Sequence, residues 1–269
     1  LFGLYAARTS ELSPSSLSIL SPGPVVSSAY SEARRDRLNE IAVYGEATYE
    51  IWDGWSATAG GRLFESRIRT SSDINVVRPD SGPRTFDQHR TFDGFSPKIS
   101  LEKTFDRGDL VYLLMTEGYR PGGFNTSGFL PIRSTRVSFA ADRLRNYELG
   151  TKLHRLDGRL ALRAAAYYDD WKNIQTDQYR PSGLPYTANV GDARIMGLEA
   201  ELSYEWAFGL SLQLNGLLSN SRVHNANPDF SAQGVAGVAA ELPGVPRRSG
   251  GVVAVYAHPL ADDLTPVSY

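Results

Sequence analysis

Four histidines, His89, His154, His224 and His258, are the residues best suited to move a proton or bind a metal near neutral pH. They are scattered along the chain, with no HExxH and no paired spacing, so the expectation is no metal site. There are no cysteines, which excludes disulfides and thiolate metal centres. No GxSxG, phosphate-binding or dinucleotide-binding glycine motif is present. Catalytic residues and cofactors are therefore expected to be absent, and the protein reads as a non-enzyme. Asp169-Asp170, beside Trp171, could lend oxygen ligands to a calcium ion in an outer loop, though a solvated strand end is the plainer reading.

Binding chemistry is more visible. Tyr119, Arg120 and Phe124 fall together at the base of one Gly/Pro-rich connection, and Tyr179, Arg180 and Tyr186 in another. Aromatic rings beside guanidinium groups suit an anionic, aromatic chelate through charge pairing and stacking. The competing reading for Tyr119 and Arg120 is loop packing. A third set is periodic: Glu46, Glu50, Arg62, Glu148, Lys152, Arg163, Glu199, Glu201 and Glu205 recur at alternate positions. They would line one wall of a sheet.

That periodicity identifies the elements. From Arg194 to Trp206, the residues Met196, Leu198, Ala200, Leu202, Tyr204 and Trp206 oppose Gly197, Glu199, Glu201, Ser203 and Glu205. Successive strand side chains point to opposite faces, so one face is apolar and the other acidic. Residues 210–219, 41–51 and 144–153 repeat the pattern, whereas Leu110 to Tyr119 is apolar on both faces and its apolar side is left open. Short connections carry turn residues: Trp52-Asp53-Gly54, Asp106-Arg107-Gly108, Asp157-Gly158, Ala207-Phe208-Gly209 and a turn in His258 to Asp263. The long connections are expected at Thr9 to Arg37, Ser71 to Phe95, Pro121 to Arg143, Thr176 to Gly191 and Val223 to Arg248. This gives about eleven strands, several as long as the roughly 9–11 residues that cross a bilayer. Aromatics gather near strand ends, with Trp52, Trp55, Tyr204, Trp206 and Phe208 at one side and Tyr168 and Trp171 at the other, as in the girdles of a membrane barrel.

Composition agrees. Apolar residues make up 41%, charged residues 22%, and the net charge of −2 gives no electrostatic case for nucleic acid. No run approaches the roughly 18 apolar residues of a spanning helix. A soluble β-rich binding module, a kelch-type propeller and a passive porin share parts of this pattern. Strand length and the alternation of short turns with long loops favour a transmembrane antiparallel β-barrel.

Several segments resemble TonB-dependent receptors of the iron-complex group, in the family's order. Tyr44-Gly45-Glu46-Ala47-Thr48-Tyr49 resembles its "YGQATY" strand, and Ala59-Gly60-Gly61-Arg62-Leu63 its "AGLRY" strand. Phe95 to Leu101 is similar to "FSPKISL", Gly118 to Asn125 to its strand-to-loop signature, and Asn146 to Lys152 to "NYELGLK". Ala164 to Gln175 resembles "AAFYYDYKNIQ", and Gly197 to Glu201 resembles "GLEAE". The resemblance implies that residues 1–269 are a partial barrel domain, about eleven strands of a roughly twenty-two-stranded barrel in the bacterial outer membrane, with the plug and C-terminal strands elsewhere. It implies import of a scarce ligand, a ferric siderophore or similar metal chelate. The implied partners are the receptor's own N-terminal plug, the TonB-ExbB-ExbD complex acting on an N-terminal box, and outer-membrane lipid and lipopolysaccharide. Ligand contacts would come from Tyr119, Arg120, Phe124, Tyr179, Arg180 and Tyr186. The polar wall would face lumen and plug. Long loops would lie outside the cell, leaving Ser127 and Ser231 open to reagents there.

Overall fold

The computed structural model describes residues 1–20, 26–77, 82–129, 136–227, 241–242 and 244–257. The strands are β1 (Phe2–Leu20), β2 (Val26–Trp52), β3 (Trp55–Val76), β4 (Arg84–Thr104), β5 (Leu110–Arg120), β6 (Gly123–Phe124), β7 (Ser138–Phe139), β8 (Asp142–Arg155), β9 (Leu160–Lys172), β10 (Gln175–Tyr179), β11 (Pro185–Asn189), β12 (Asp192–Glu205), β13 (Leu210–His224) and β14 (Arg248–Tyr256). Ten of them make one antiparallel meander in the order β1-β2-β3-β4-β5-β8-β9-β12-β13-β14. The pairs β6–β7 and β10–β11 form small separate sheets within the loops. The all-β antiparallel architecture read from the sequence holds, with ten strands in the main sheet among the described residues.

Four short turns fall where their residues require. Gly54, Gly108, Gly158 and Gly209 all have positive φ, and at Gly209 a β-carbon would lie 2.1 Å from the Ala257 carbonyl oxygen. The turn expected at His258 to Asp263 lies outside the described residues. Two of the five long connections are shorter than expected, because β1 runs to Leu20, β2 starts at Val26, β3 runs to Val76 and β4 starts at Arg84. Thr9 to Arg37 and Ser71 to Phe95 are therefore mostly strand. Their Ser, Arg and Pro content belongs to strands that carry polar residues on both faces rather than to a loop.

Register settles the faces. Directly opposed residues share a face, so one row runs Ala47, Ala59, Ile99, Met115, Tyr147, Tyr168 and Met196. A second runs Leu101, Leu113, Leu149, Ala166, Leu198 and Leu218. These rows form an exposed apolar belt of the kind that contacts lipid tails. The same ladders resolve β5: Val111, Leu113 and Met115 join the belt, whereas Tyr112, Leu114 and Thr116 face the other way. The row through Tyr49 starts beside the turn after Trp52 and reaches Leu198, well short of the turn after Trp206. Slippage of roughly one residue per strand gives a tilt of roughly 35°, from ~3.3 Å of rise against ~4.8 Å of spacing, within the range of closed barrels.

Rings mark the two ends of the belt. At the short-turn end Tyr204, Trp206, Phe208 and Tyr256 form a chain, with successive centroids 4.4, 6.3 and 6.5 Å apart. At the far end Tyr147 and Tyr168 lie 6.3 Å apart. Trp171 is a correction: it lies on the opposite face from Tyr168, and its indole N–H donates to Asp142 at 3.0 Å. A ring with a buried polar partner is placed by that partner, not by the interface.

Candidate functional site

Pleating puts every residue of the polar set on one face. Glu46, Gly60, Lys98, Thr116, Asn146 and Asp169 form one row, and Thr48, Thr58, Ser100, Leu114, Glu148, Tyr167 and Gly197 the next. Glu50 and Glu199 lie on this face, as do Lys152, Arg163 and Glu201 in one row, Arg62 opposite Tyr44, and Glu205 opposite Ser211. The wall is laced across strands. Lys98 Nζ donates to Glu46 at 2.7 Å, Thr48 and Thr58 hydroxyls meet at 2.8 Å, and the Tyr112 hydroxyl donates to Glu148 at 2.5 Å. Arg62 pairs with Glu40, and Arg163 lies 3.6 Å from Glu201. Glu50, Glu199, Glu205 and Lys152 have no ion pair among the described residues. Lys152, Arg163, Glu199 and Glu201 line a groove of about 450 Å³. This wall can hold a charged surface by hydrogen bonds and ion pairs.

Beyond Lys98, where the β4–β5 ladder ends, the loops fold back over the projecting strands. Tyr119 stacks on Phe64 with centroids 3.5 Å apart, and its hydroxyl donates to Glu40 at 2.8 Å. Arg120 pairs with Asp142, lies 5.4 Å above the Trp171 ring and donates to the Gln175 carbonyl at 3.1 Å. Phe124 is 6% exposed and packs near Phe86. These three candidates therefore share the packing at the loop base.

The second trio differs. Tyr179 is 72% exposed, Tyr186 is buried, and the Arg180 guanidinium lies 5.0 Å above the Tyr186 ring. Arg180 sits in the tight turn of β10–β11, where Gly183 N–H donates to its carbonyl at 2.8 Å. Desolvation by burial, and then neighbouring arginines, push the Arg180 pKa below its ordinary value.

The structure adds residues that no motif marked. Buried Glu32 accepts from Tyr30 at 2.5 Å, from Ser72 at 2.6 Å and from Thr126. Asn125 Nδ2 donates to the Thr187 carbonyl at 2.8 Å while Thr187 N–H returns to Asn125 Oδ1 at 2.8 Å. Ser127 donates to the Pro185 carbonyl at 2.6 Å. The loop after β6 is thereby pinned to β11, so Ser127 is buried rather than open to solvent. Ser231 lies outside the described residues. Acidic and small polar residues spread over a hundred positions leave no local pattern to find.

Asp169 and Asp170 cannot share an ion, because neighbouring strand residues face opposite ways. Asp169 accepts from Asn146 at 2.9 Å, and Asp170 forms an ion pair with Lys172 at 3.2 Å. Among the described residues no cluster of His, Asp or Glu could hold a metal. His258 lies outside them.

Comparison with known proteins places this arrangement. Residues 3–269 match the family described as TonB dependent receptor-like, beta-barrel. The pesticin receptor of Yersinia enterocolitica is 26% identical over 253 residues, covering 93% of this chain and 34% of that protein. The chain thus spans about a third of the length of such curated relatives. The ferric yersiniabactin uptake receptor FyuA of Yersinia pestis superposes with a TM-score of 0.74 at 24% identity, over 94% of this chain and 36% of that one. The ferric-catecholate import receptor Fiu of E. coli K12 gives 0.65 at 17% identity, over 97% and 40%. These likenesses show the fold of a receptor barrel. With its apolar belt, polar wall and inward-folded loops, the chain belongs to the TonB-dependent receptor β-barrel family, whose members are receptors and transporters and not enzymes.

Proposed function

We propose that the protein containing this chain is a bacterial outer-membrane receptor that imports a ferric siderophore or a similar metal chelate. The observation that carries the reading is the pairing of a continuous apolar belt with a charged, hydrogen-bonded wall on the opposite face. A water-filled channel needs only a wet wall. Carboxylates with no ion pair among the described residues, such as Glu50, Glu199 and Glu205, suit a wall that meets a second protein surface. In this reading the wall faces the lumen and holds the N-terminal plug, TonB-ExbB-ExbD energises release, and the apolar belt sits in outer-membrane lipid beneath lipopolysaccharide. Ligand recognition falls to the inward-folded loops, above all Tyr179, Arg180 and Tyr186, with Tyr119, Arg120 and Phe124 shaping the platform beneath. The names of the similar receptors, which concern ferric yersiniabactin and ferric catecholates, support iron chelates as the class.

The test uses the full-length receptor in an iron-starved host stripped of its own siderophore receptors. Growth on a supplied ferric siderophore should depend on the receptor and vanish when TonB is deleted. Uptake that persists without TonB would make the protein a passive channel.

A further inference from the structure

Loop residues 122–129 and the β10–β11 hairpin pack onto the projecting ends of β2 and β3 around a small core of Tyr30, Ile74, Val76 and Leu184. Three arginines from distant segments meet at this core. Arg84 begins β4, Arg136 precedes β7, and Arg180 occupies the β10–β11 turn. Arg136 and Arg180 both approach the ring of Tyr186, at 6.0 and 5.0 Å. Arg84 donates to the Phe129 carbonyl at 3.3 Å and to the Gly128 carbonyl.

Arg180 is the exception. Its Nε and Nη2 are buried and have no hydrogen-bond partner among the described residues. The groups acting on it are two rings, Tyr186 and Tyr30, and two like charges, Arg136 and Arg84. A half-buried guanidinium whose inner nitrogens are shut off from water among cations is held at a cost unless an anion joins it. Its planar fork matches the two oxygens of a carboxylate or phosphate, and a ring beneath it fixes the plane of approach.

We propose that Arg180, with Arg136 and Arg84, forms an oxyanion site, and that it takes a carboxylate or phosphate group carried by the imported chelate. The source of the anion rests on the import reading above; the site itself does not. Tyr186 is the floor that orients Arg180. The backbone carbonyls of Gly128 and Phe129 hold Arg84 at the edge.

The test is calorimetric, with purified full-length receptor and three probes: ferric citrate, iron-free citrate and inorganic phosphate. Arg180→Gln should weaken binding of ferric citrate by about tenfold or more, the size of a lost charge-assisted contact. Arg180→Lys should restore part of it, and Arg247→Gln, which breaks an exposed pair with Glu241, should change nothing. Equal losses for iron-free citrate and phosphate would make this a site for free anions. A loss confined to ferric citrate would put the anion on the chelate. Absence of saturable binding of all three probes, or unchanged binding in Arg180→Gln, overturns the site. Each variant must keep the wild-type heat-dependent gel mobility, which excludes misfolding. TonB-dependent growth is scored separately, so a receptor that fails to import but still binds anions through Arg180 sinks the transport reading alone.

Discussion

The ring of Tyr112 lies across Gly150 of the neighbouring strand, so close that a β-carbon on that glycine would come within 2.3 Å of it. Gly150 therefore leaves room for the ring, and the ring's hydroxyl then reaches Glu148. Gly150→Val should displace Tyr112 and cost about 1–3 kcal/mol through overpacking. Tyr112→Ala in the same protein should recover most of that loss, because nothing remains to be displaced. Urea unfolding of the full-length receptor in detergent measures both. Additive losses would mean that the contact is not what constrains the pair.

Leu212 and Gln213 are consecutive and face opposite ways: Leu212 is flanked by Tyr204 and Ala254, and Gln213 by Ser203 and Val253. Leu212→Arg should impair assembly mildly, by about 1 kcal/mol, because Leu212 lies beside Tyr204 at the short-turn end of the belt, where a lipid-facing charge costs less than at mid-bilayer depth. Gln213→Arg should be tolerated. Equal damage in a folding assay would reverse or erase the faces.

Topology predicts three labelling behaviours on intact cells carrying single-cysteine, full-length receptor. Tyr179→Cys, at an exposed hairpin, should react promptly with an impermeant maleimide. Arg107→Cys, in a short turn, should react only after the outer membrane is breached. Ser127→Cys should react slowly, because its position is buried beneath β11. Fast labelling of Ser127→Cys would show that the loop stands open.

Asp142 ties the base of the hairpin loop to the wall. It accepts from Arg120, from the Trp171 indole at 3.0 Å and from the Gln175 N–H at 3.2 Å. Asp142→Ala strands three donors and should cost about 1–3 kcal/mol. Amide exchange across β10 and β11 should quicken before exchange in β8 or β9 does. Uniform quickening would mean that Asp142 supports the barrel rather than the hairpin.

Residues 1–269 expressed alone should not close. The sheet ends at β1 and β14, which have one neighbour each among the described residues. In hydrocarbon the unpaired backbone on both edges would demand partners. Light scattering in detergent should report oligomers or aggregates. A protease-resistant, heat-modifiable monomer would show closure at half the circumference.

Much of this was legible because membrane barrels write their faces into alternate residues. Leu198 and Glu199 declare their sides without help, as do the turn glycines. β5 could not be read, since Tyr112 and Leu114 look as apolar as Val111 and Leu113; only register against β4 and β8 separates them. Beyond the apolar belt the code lapses, because the inner face of β2 and β3 is buried under loops by polar residues such as Glu32, Thr70 and Ser72 as well as by Tyr30 and Ile74, so neither face is uniformly greasy. That is why Thr9 to Arg37 read as loop. Trp171 was misplaced because an aromatic near a strand end fits either a lipid interface or a buried acceptor. Of the candidate site, the aromatic and cationic residue types were visible in Arg180 and Tyr186, but the way the loops are held in place depends on Asp142 and Glu32, which act over long chain separations.

The length of β2 has a consequence for what can approach the cell. Its 27 residues extend ~90 Å at ~3.3 Å each, and at the tilt of such barrels roughly 70 Å of that is height, against ~25 Å for the apolar band. In the proposed outer-membrane setting the β1–β4 side would rise like a chimney through the sugar layer that screens the outer leaflet. Its top would stand where large bodies excluded by that layer, such as proteins, can take hold. On that reading, the height that lifts the rim to a small solute also offers a handle to anything bigger.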